Sequence, residues 1–315
     1  MNEKWISELL QRLDRIADAL ESLAARRPVA VGRGAEGRPE EPPGLRPERA
    51  VSPGPEGGNG EADAPPGPAT LVPEPLARFL ESRGIRVRRV PPPTPADPVL
   101  DRTAVQLATR YPHLREILGR IKNTMQTGGA WYQKLAGRPA EEIAACCQFC
   151  HQLHQLAFLT EYRYYRSPRC LIEARTSSNP LAQNFFSGQW LERYVRCEVQ
   201  AVAAADGPAL ALLANPQVVL PNHADFELDL LVAFDGRVFW IEAKTGQYQQ
   251  YLRKYSEVAR MLGLGPDRAI LVLAEAAPAV CESLTSLFGM TVCQAPDFSR
   301  VFRELTAGRL LRAAG

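Results

Sequence analysis

The chain holds no apolar run approaching the roughly 20 residues needed to cross a bilayer, so the sequence predicts no membrane partner. Its opening residues, Met1-Asn2-Glu3-Lys4, lack the basic-then-apolar layout of a secretory leader. Its 7 cysteines are an odd number, scattered without a disulfide framework, and the expected compartment is the reducing cytoplasm. Nor is there an excess of charge of one sign: 37 Lys and Arg against 35 Asp and Glu leave a net charge of +2. Any hold on nucleic acid must therefore come from a local patch, not from the field of the whole molecule. Internal repeats are also lacking.

What is there falls into four parts. Over residues 3–27, Ile6, Leu9, Leu13, Ile16, Leu20 and Leu23 recur at alternating steps of three and four. That heptad seam predicts an amphipathic, coiled-coil-like helix, which joins a second copy of the chain (a homo-oligomer) or a partner protein. Residues 28–75 are dominated by Pro, Gly, Glu and Arg, a composition that cannot bury a core and reads as a disordered linker. Residues 76–180 read as a mostly helical region of uncertain role. It contains a short helix at Leu76 to Leu80, a basic strand from Ile85 to Val90 and helices from Val99 to Ala157, broken at Gly128-Gly129. Two strand-like pieces follow, at Phe158 to Tyr165 and Cys170 to Ala174. From 181 to 315 the order helix, three strands, helix, strand, helix, strand predicts an α/β fold, with a mixed central sheet flanked by helices.

Within that last part, charge stands where a buried strand should avoid it. Phe226 to Val232 reads as one apolar strand carrying Glu227 and Asp229 on one face. Phe239 to Lys244 reads as a second, with Glu242 and Lys244 alternating against Ile241 and Ala243. Asp235-Gly236 between them is a strong hairpin signal, and a hairpin centred there sets Asp229 opposite Glu242. Two facing carboxylates in an apolar setting are tolerable if a cation lies between them, and an all-oxygen donor set suits Mg²⁺ or Mn²⁺. Such an ion would polarise a phosphoryl oxygen, and Lys244 would orient or deprotonate the attacking water. Glu192, early in a helix expected to start at Ser187 or Gly188, is a third candidate ligand. Glu227 is a further ligand or a supporting group. A helix expected from about Gln247 to Leu262 offers Gln247 and Lys254 as contacts to phosphate.

Two other clusters stand apart. Cys146, Cys147, Cys150, His151 and His154 crowd one helix, but no second ligand pair completes a zinc shell, and helical Cys is commonly a small core residue. Tyr162-Arg163-Tyr164-Tyr165-Arg166, with Arg169 and Arg175, interleaves rings and guanidiniums. It fits a surface that stacks bases and an ordinary strand edge equally well.

Gly188 to Glu192, Glu227 to Asp229 and Ile241 to Gly246 together resemble the PD-(D/E)xK nuclease superfamily. In detail they are similar to the nuclease domains fused to CARF sensor domains in CRISPR ancillary effectors. The likeness runs from roughly Asn184 to Cys293, about a third of the chain. It implies a restriction-endonuclease-like sheet, with Asp229, Glu242 and Lys244 catalytic and Glu192, Asp229 and Glu242 on the metal. It further implies cleavage of phosphodiester bonds in DNA or RNA, in prokaryotic defence, CRISPR-associated or similar. Leu228 stands where that superfamily has proline, and nothing N-terminal reads as the Rossmann-like sensor. The competing reading is a non-catalytic binding or scaffold protein that keeps the fold.

Overall fold

A computed structural model describes residues 71–308 except Ser167, Gly207 and Pro208. The expected coiled-coil helix, and the expected linker up to residue 70, lie outside the described residues. Helix α1 (Glu74–Glu81) enters on Pro73 and buries Leu76, Phe79 and Leu80; it begins inside the stretch read as linker. Strand β1 (Arg86–Arg89) follows. The long apolar periodicity beyond it is two helices, α2 (Asp97–Thr109) and α3 (Tyr111–Thr124), because Pro112 has no N–H to continue the first.

After the Gly128-Gly129 break comes a strand, β2 (Ala130–Lys134), inside the stretch read as helical. Its exposed–buried alternation leaves Trp131 and Gln133 inward. Helix α4 (Ala140–Gln155) and strands β3 (Leu159–Tyr165) and β4 (Leu171–Thr176) complete a three-stranded antiparallel sheet of order β2-β4-β3. The cysteine-rich helix is α4. Cys146 and Cys150 are buried in the core, and Cys146 donates to the His113 carbonyl, 3.4 Å away.

Asn179 caps helix α5 (Pro180–Asn184), its side chain accepting from the Leu181 N–H at 2.8 Å. The helix therefore starts earlier than Ser187 or Gly188. It runs through a π-turn at Phe185–Gln189 into α6 (Trp190–Asp206). Phe185 and Phe186 are adjacent yet both fully buried, their centroids 5.2 Å apart and each 5.6 Å from Phe158. Successive residues of an α-helix diverge by ~100°, so burying both favours the wider turn.

Five strands, not three, separate α6 from the next helix. They are β5 (Leu210–Ala214), β6 (Gln217–Val219), β7 (Asp225–Glu227), β8 (Leu230–Phe234) and β9 (Arg237–Lys244). The expected single strand from Phe226 to Val232 is broken at Leu228-Asp229: β7 belongs to a small sheet of order β1-β6-β7, β8 to the central sheet. A 3-10 turn (Gln249–Tyr251) then leads into α7 (Leu252–Met261), so the helix starts later than Gln247. Strand β10 (Ala269–Leu273), helix α8 (Pro278–Phe288), strand β11 (Thr291–Gln294) and helix α9 (Phe298–Thr306) complete the described residues.

The central sheet has the order β11-β10-β9-β8-β5. Its β5-β8-β9 side is antiparallel and its β9-β10-β11 side parallel, as expected of a mixed α/β sheet. One apolar cluster runs from Leu100 through Phe149 and Trp190 to Phe302, so the segments on either side of residue 180 share a core. No helix among the described residues is long and apolar enough to span a membrane.

The hairpin register follows the turn. Leu230 pairs with Ile241 and Phe234 with Arg237, with Asp235 (φ 49) and Gly236 (φ 69) both left-handed. That is the backbone of a type I′ turn. A Cβ at Gly236 would meet nothing within 4 Å, so Gly236→Ala isolates the backbone cost. Urea unfolding should show a loss of about 1 kcal/mol with an unchanged denaturant slope.

Candidate functional site

The acidic residues meet where β5 and β9 end and β8 begins. Trp240, Glu242 and Lys244 lie on the β9 face packed by α7, where the Tyr255 ring is 6.1 Å from Trp240. Phe239 and Ile241 lie on the other face, with Phe302 of α9 against Phe239 at 5.3 Å. Asp229 sits at the bend between β7 and β8, carried into contact with β9 by the hairpin register.

Asp229 and Glu242 hold each other through the backbone. The Asp229 N–H donates to Glu242 Oε1 at 3.0 Å, and the Ala243 N–H donates to Asp229 Oδ2 at 2.8 Å. Trp240 Nε1 donates to the same Glu242 oxygen at 3.1 Å. Lys244 Nζ stands 3.4 Å from Asp229 Oδ2 and 3.6 Å from Glu242 Oε2. Glu242 is 1% exposed, and burial first, then the charge of Asp229, push its pKa well above the ordinary carboxylate range. For Lys244, burial acts to lower the pKa. Asp229 and Glu242 outweigh it, and the net shift is upward, which keeps the ammonium charged.

Glu192 arrives from α6 on the opposite face of the sheet. Asn215 Nδ2 donates to its Oε2 at 2.9 Å, while the Asn215 N–H donates to the Asp229 carbonyl at 3.0 Å. Burial, and next the Asp229 charge, raise the Glu192 pKa to about 7. Asn215 thus ties Glu192 to Asp229. Sequence reasoning did not find it, although Asn215-Pro216 is a turn signal and Asn215 is left-handed at φ 51. Beside Lys244, Thr245 is tied to the π-turn and approached by Lys122, which the sequence did not single out. Thr245 Oγ1 donates to the Ser187 carbonyl in the π-turn at 3.0 Å, and Lys122 Nζ lies 3.5 Å from Thr245 Oγ1. Burial lowers the Lys122 pKa.

Beside these groups lies a cleft of about 840 Å³. Glu192, Glu227, Lys244 and Gln247 line it, with Arg193, Arg196 and the Val90–Thr94 segment as further wall. A recess of about 30 Å³ beside it reaches Asp229. Glu227 is exposed on β7. Gln247 precedes the helix in a left-handed conformation, φ 34. Lys254 is directed elsewhere, its Nζ 4.9 Å from the centre of the Phe226 ring. Arg193 and Arg196 are held by Asp97 and Asp101 at 2.6–2.8 Å.

The donors Glu192, Asp229 and Glu242 are all carboxylate oxygens, the chemistry that Mg²⁺ or Mn²⁺ takes. Two of them have pKa values raised by burial and by the Asp229 charge, a strain that a cation would relieve. In the geometry described, Lys244 supplies the compensating charge for Asp229 and Glu242. Among the described residues no three His, Cys, Asp or Glu side chains already converge as a metal site.

No protein-family model matches the sequence, and no curated protein matches it. Among solved structures the fold is similar to that of protein VC1899 from Vibrio cholerae. The TM-score is 0.51 and the identity 20%, over 76% of this chain and 62% of that one. It is also similar to Can2 from Sulfobacillus thermosulfidooxidans, solved in complex with cyclic tetra-adenylate. Here the TM-score is 0.51 and the identity 12%, over 72% of this chain and 59% of that one. The match spans about three-fifths of the length of those chains, and at such identities it is a likeness of fold.

Proposed function

We propose that this protein is a metal-dependent nuclease with a restriction-endonuclease-like core, hydrolysing phosphodiester bonds of DNA or RNA in prokaryotic defence. The observation that carries this reading is the buried contact of Asp229 and Glu242 beside a cleft, with Lys244, which lines that cleft, within 3.4 Å and 3.6 Å of their carboxylates. The fold likeness to Can2 supports it, as do the sequence motifs at Glu192, Asp229 and Glu242 to Lys244.

Glu192, Asp229 and Glu242 would hold Mg²⁺ or Mn²⁺, which supplies Lewis acidity toward a phosphoryl oxygen and toward water. Asn215 keeps Glu192 pointed toward Asp229. Trp240 Nε1 and the Asp229 N–H fix one Glu242 oxygen, leaving the other toward Lys244. Lys244, held charged by its two acids, orients the attacking water and donates to the phosphoryl oxygen on which negative charge builds. Glu227 and Gln247 line the cleft where the rest of the strand would pass.

The test is incubation of labelled single- and double-stranded DNA and RNA with the full chain in Mg²⁺, in Mn²⁺ and in EDTA. Cutting that appears with metal and stops in EDTA is the expected result. A protein that retains strands without cutting any of them would instead be the non-catalytic binding protein.

A further inference from the structure

We propose that the outer face of the β2-β4-β3 sheet is a platform for an unpaired nucleic-acid strand, with Tyr132 and Tyr165 stacking bases and Lys134, Arg163 and Arg169 holding phosphates. The sheet resolves the interleaved Tyr–Arg run of β3 into two faces. Tyr162 and Tyr164 pack against the core, and Tyr162 Oη donates to the Cys147 carbonyl at 3.2 Å. These rings are therefore structural. Arg163 and Tyr165 fall on the opposite face by the period of two.

Register assembles the outer face. Tyr132 lies opposite Glu173, which lies opposite Arg163; Lys134 lies opposite Leu171, which lies opposite Tyr165. Tyr132 is 52% exposed, unusual for so large a ring on a sheet. Both tyrosines are fixed by one acid: Glu173 accepts from Tyr132 Oη at 3.3 Å and from Tyr165 Oη at 2.7 Å. Rings held this way lose little further freedom on binding.

Charge identifies the occupant. Of the two acids on this face, Glu173 is taken by the tyrosines and Glu161 by Arg175 at 3.1 Å. Among the described residues Lys134, Arg163 and Arg169 enter no ion pair, and the Arg169 guanidinium lies 5.5 Å from the Tyr165 ring centre. A nearly neutral chain thus carries a local surplus of cations beside one exposed ring, Tyr132, and one half-buried ring, Tyr165, which complements a polyanion with free π-faces. A duplex hides those faces in its own stack. Strand β4 is followed, through Asn179, α5 and the π-turn, by α6, which carries Glu192, so one short stretch of chain links the platform to the acidic site.

The inference concerns binding and is read without metal, so it stands or falls apart from the nuclease reading. The full chain in EDTA is titrated against a fluorescein-labelled oligothymidine of roughly 16 nucleotides, by anisotropy. Expected is salt-dependent binding, weaker for a duplex of equal length. Paired Tyr132→Ala and Tyr165→Ala changes should weaken it about tenfold or more, and paired Tyr132→Phe and Tyr165→Phe changes should keep most of it. Arg163→Glu, at an exposed side chain, should weaken it and flatten the salt dependence. Equal affinity for the duplex, equal affinity for polyglutamate, or wild-type binding by the alanine pair and by Arg163→Glu would each overturn the platform.

Discussion

Asp229→Asn is expected to lower metal-dependent cleavage by about 10³-fold or more while leaving the protein folded. Asparagine keeps the size of the side chain and an oxygen able to accept from the Ala243 N–H, so the 2.8 Å contact that ties the bend to β9 survives. What goes is a negative charge. A thousandfold is ~4 kcal/mol of transition-state stabilisation, more than a hydrogen bond between neutral groups supplies. Lys244→Met is the informative partner. It leaves Asp229 and Glu242 facing each other with no cation, which should destabilise the metal-free protein by about 2 kcal/mol. That lies below the cost for a fully buried pair because Lys244 is 25% exposed. Cutting should fall by about 10²-fold or more. Added Mg²⁺ should restore the melting temperature of Lys244→Met but not its activity, whereas Asp229→Asn should show no Mg²⁺-dependent shift. If the three residues were only a structural ion pair, Mg²⁺ would move neither melting curve, and thermal shift with and without the ion reads this directly.

The part of this site legible in the sequence was the part set by local rules. Asp235-Gly236 dictates a type I′ turn, a tight turn fixes register, and register alone sets Asp229 against Glu242. The basic strand after α1 and the two strands β3 and β4 were legible for the same reason, since each carries its period within a few residues. What escaped depends on partners distant in the chain. Phe226 to Val232 is uniformly strand-like, yet the Leu228 N–H donates to the Pro216 carbonyl at 3.1 Å and β7 leaves for another sheet. Nothing local to those residues announces that Gln217–Val219 will claim them. The π-turn depends on Phe158 being present to receive two adjacent phenylalanines. Trp131 and Gln133 alternate over too few residues to stand out between helices. Asn215 shows the same limit at the site itself. Its sequence marks a turn, but only the fold puts its amide on Glu192 and its N–H on Asp229.

Metal-free protein should lose stability as pH rises from about 4.5 to about 7, the interval over which Glu192 keeps its proton when folded and gives it up when unfolded. The sign follows from proton counting: a carboxyl whose folded pKa is raised binds more protons in the native state across that window, so stability falls with pH there. Below the window both states are protonated, and above it both are ionised, so Glu192 contributes no further slope on either side. Glu242 is shifted in the same direction and extends the decline upward. For Glu192 the full shift corresponds to roughly 3 kcal/mol, to be discounted to ~2 kcal/mol because the side chain is only partly buried. Urea unfolding in EDTA at intervals from pH 5 to 8 measures it. Glu192→Gln should remove the Glu192 share of the slope and leave that of Glu242, because glutamine has no proton to lose. Saturating Mg²⁺ should remove it as well if the carboxylates of Glu192, Asp229 and Glu242 share an ion, since a cation makes the ionised form the favoured one. A slope that persists unchanged in both cases would mean that another group titrates there, and that Glu192 is neither strained in the folded protein nor part of the metal site.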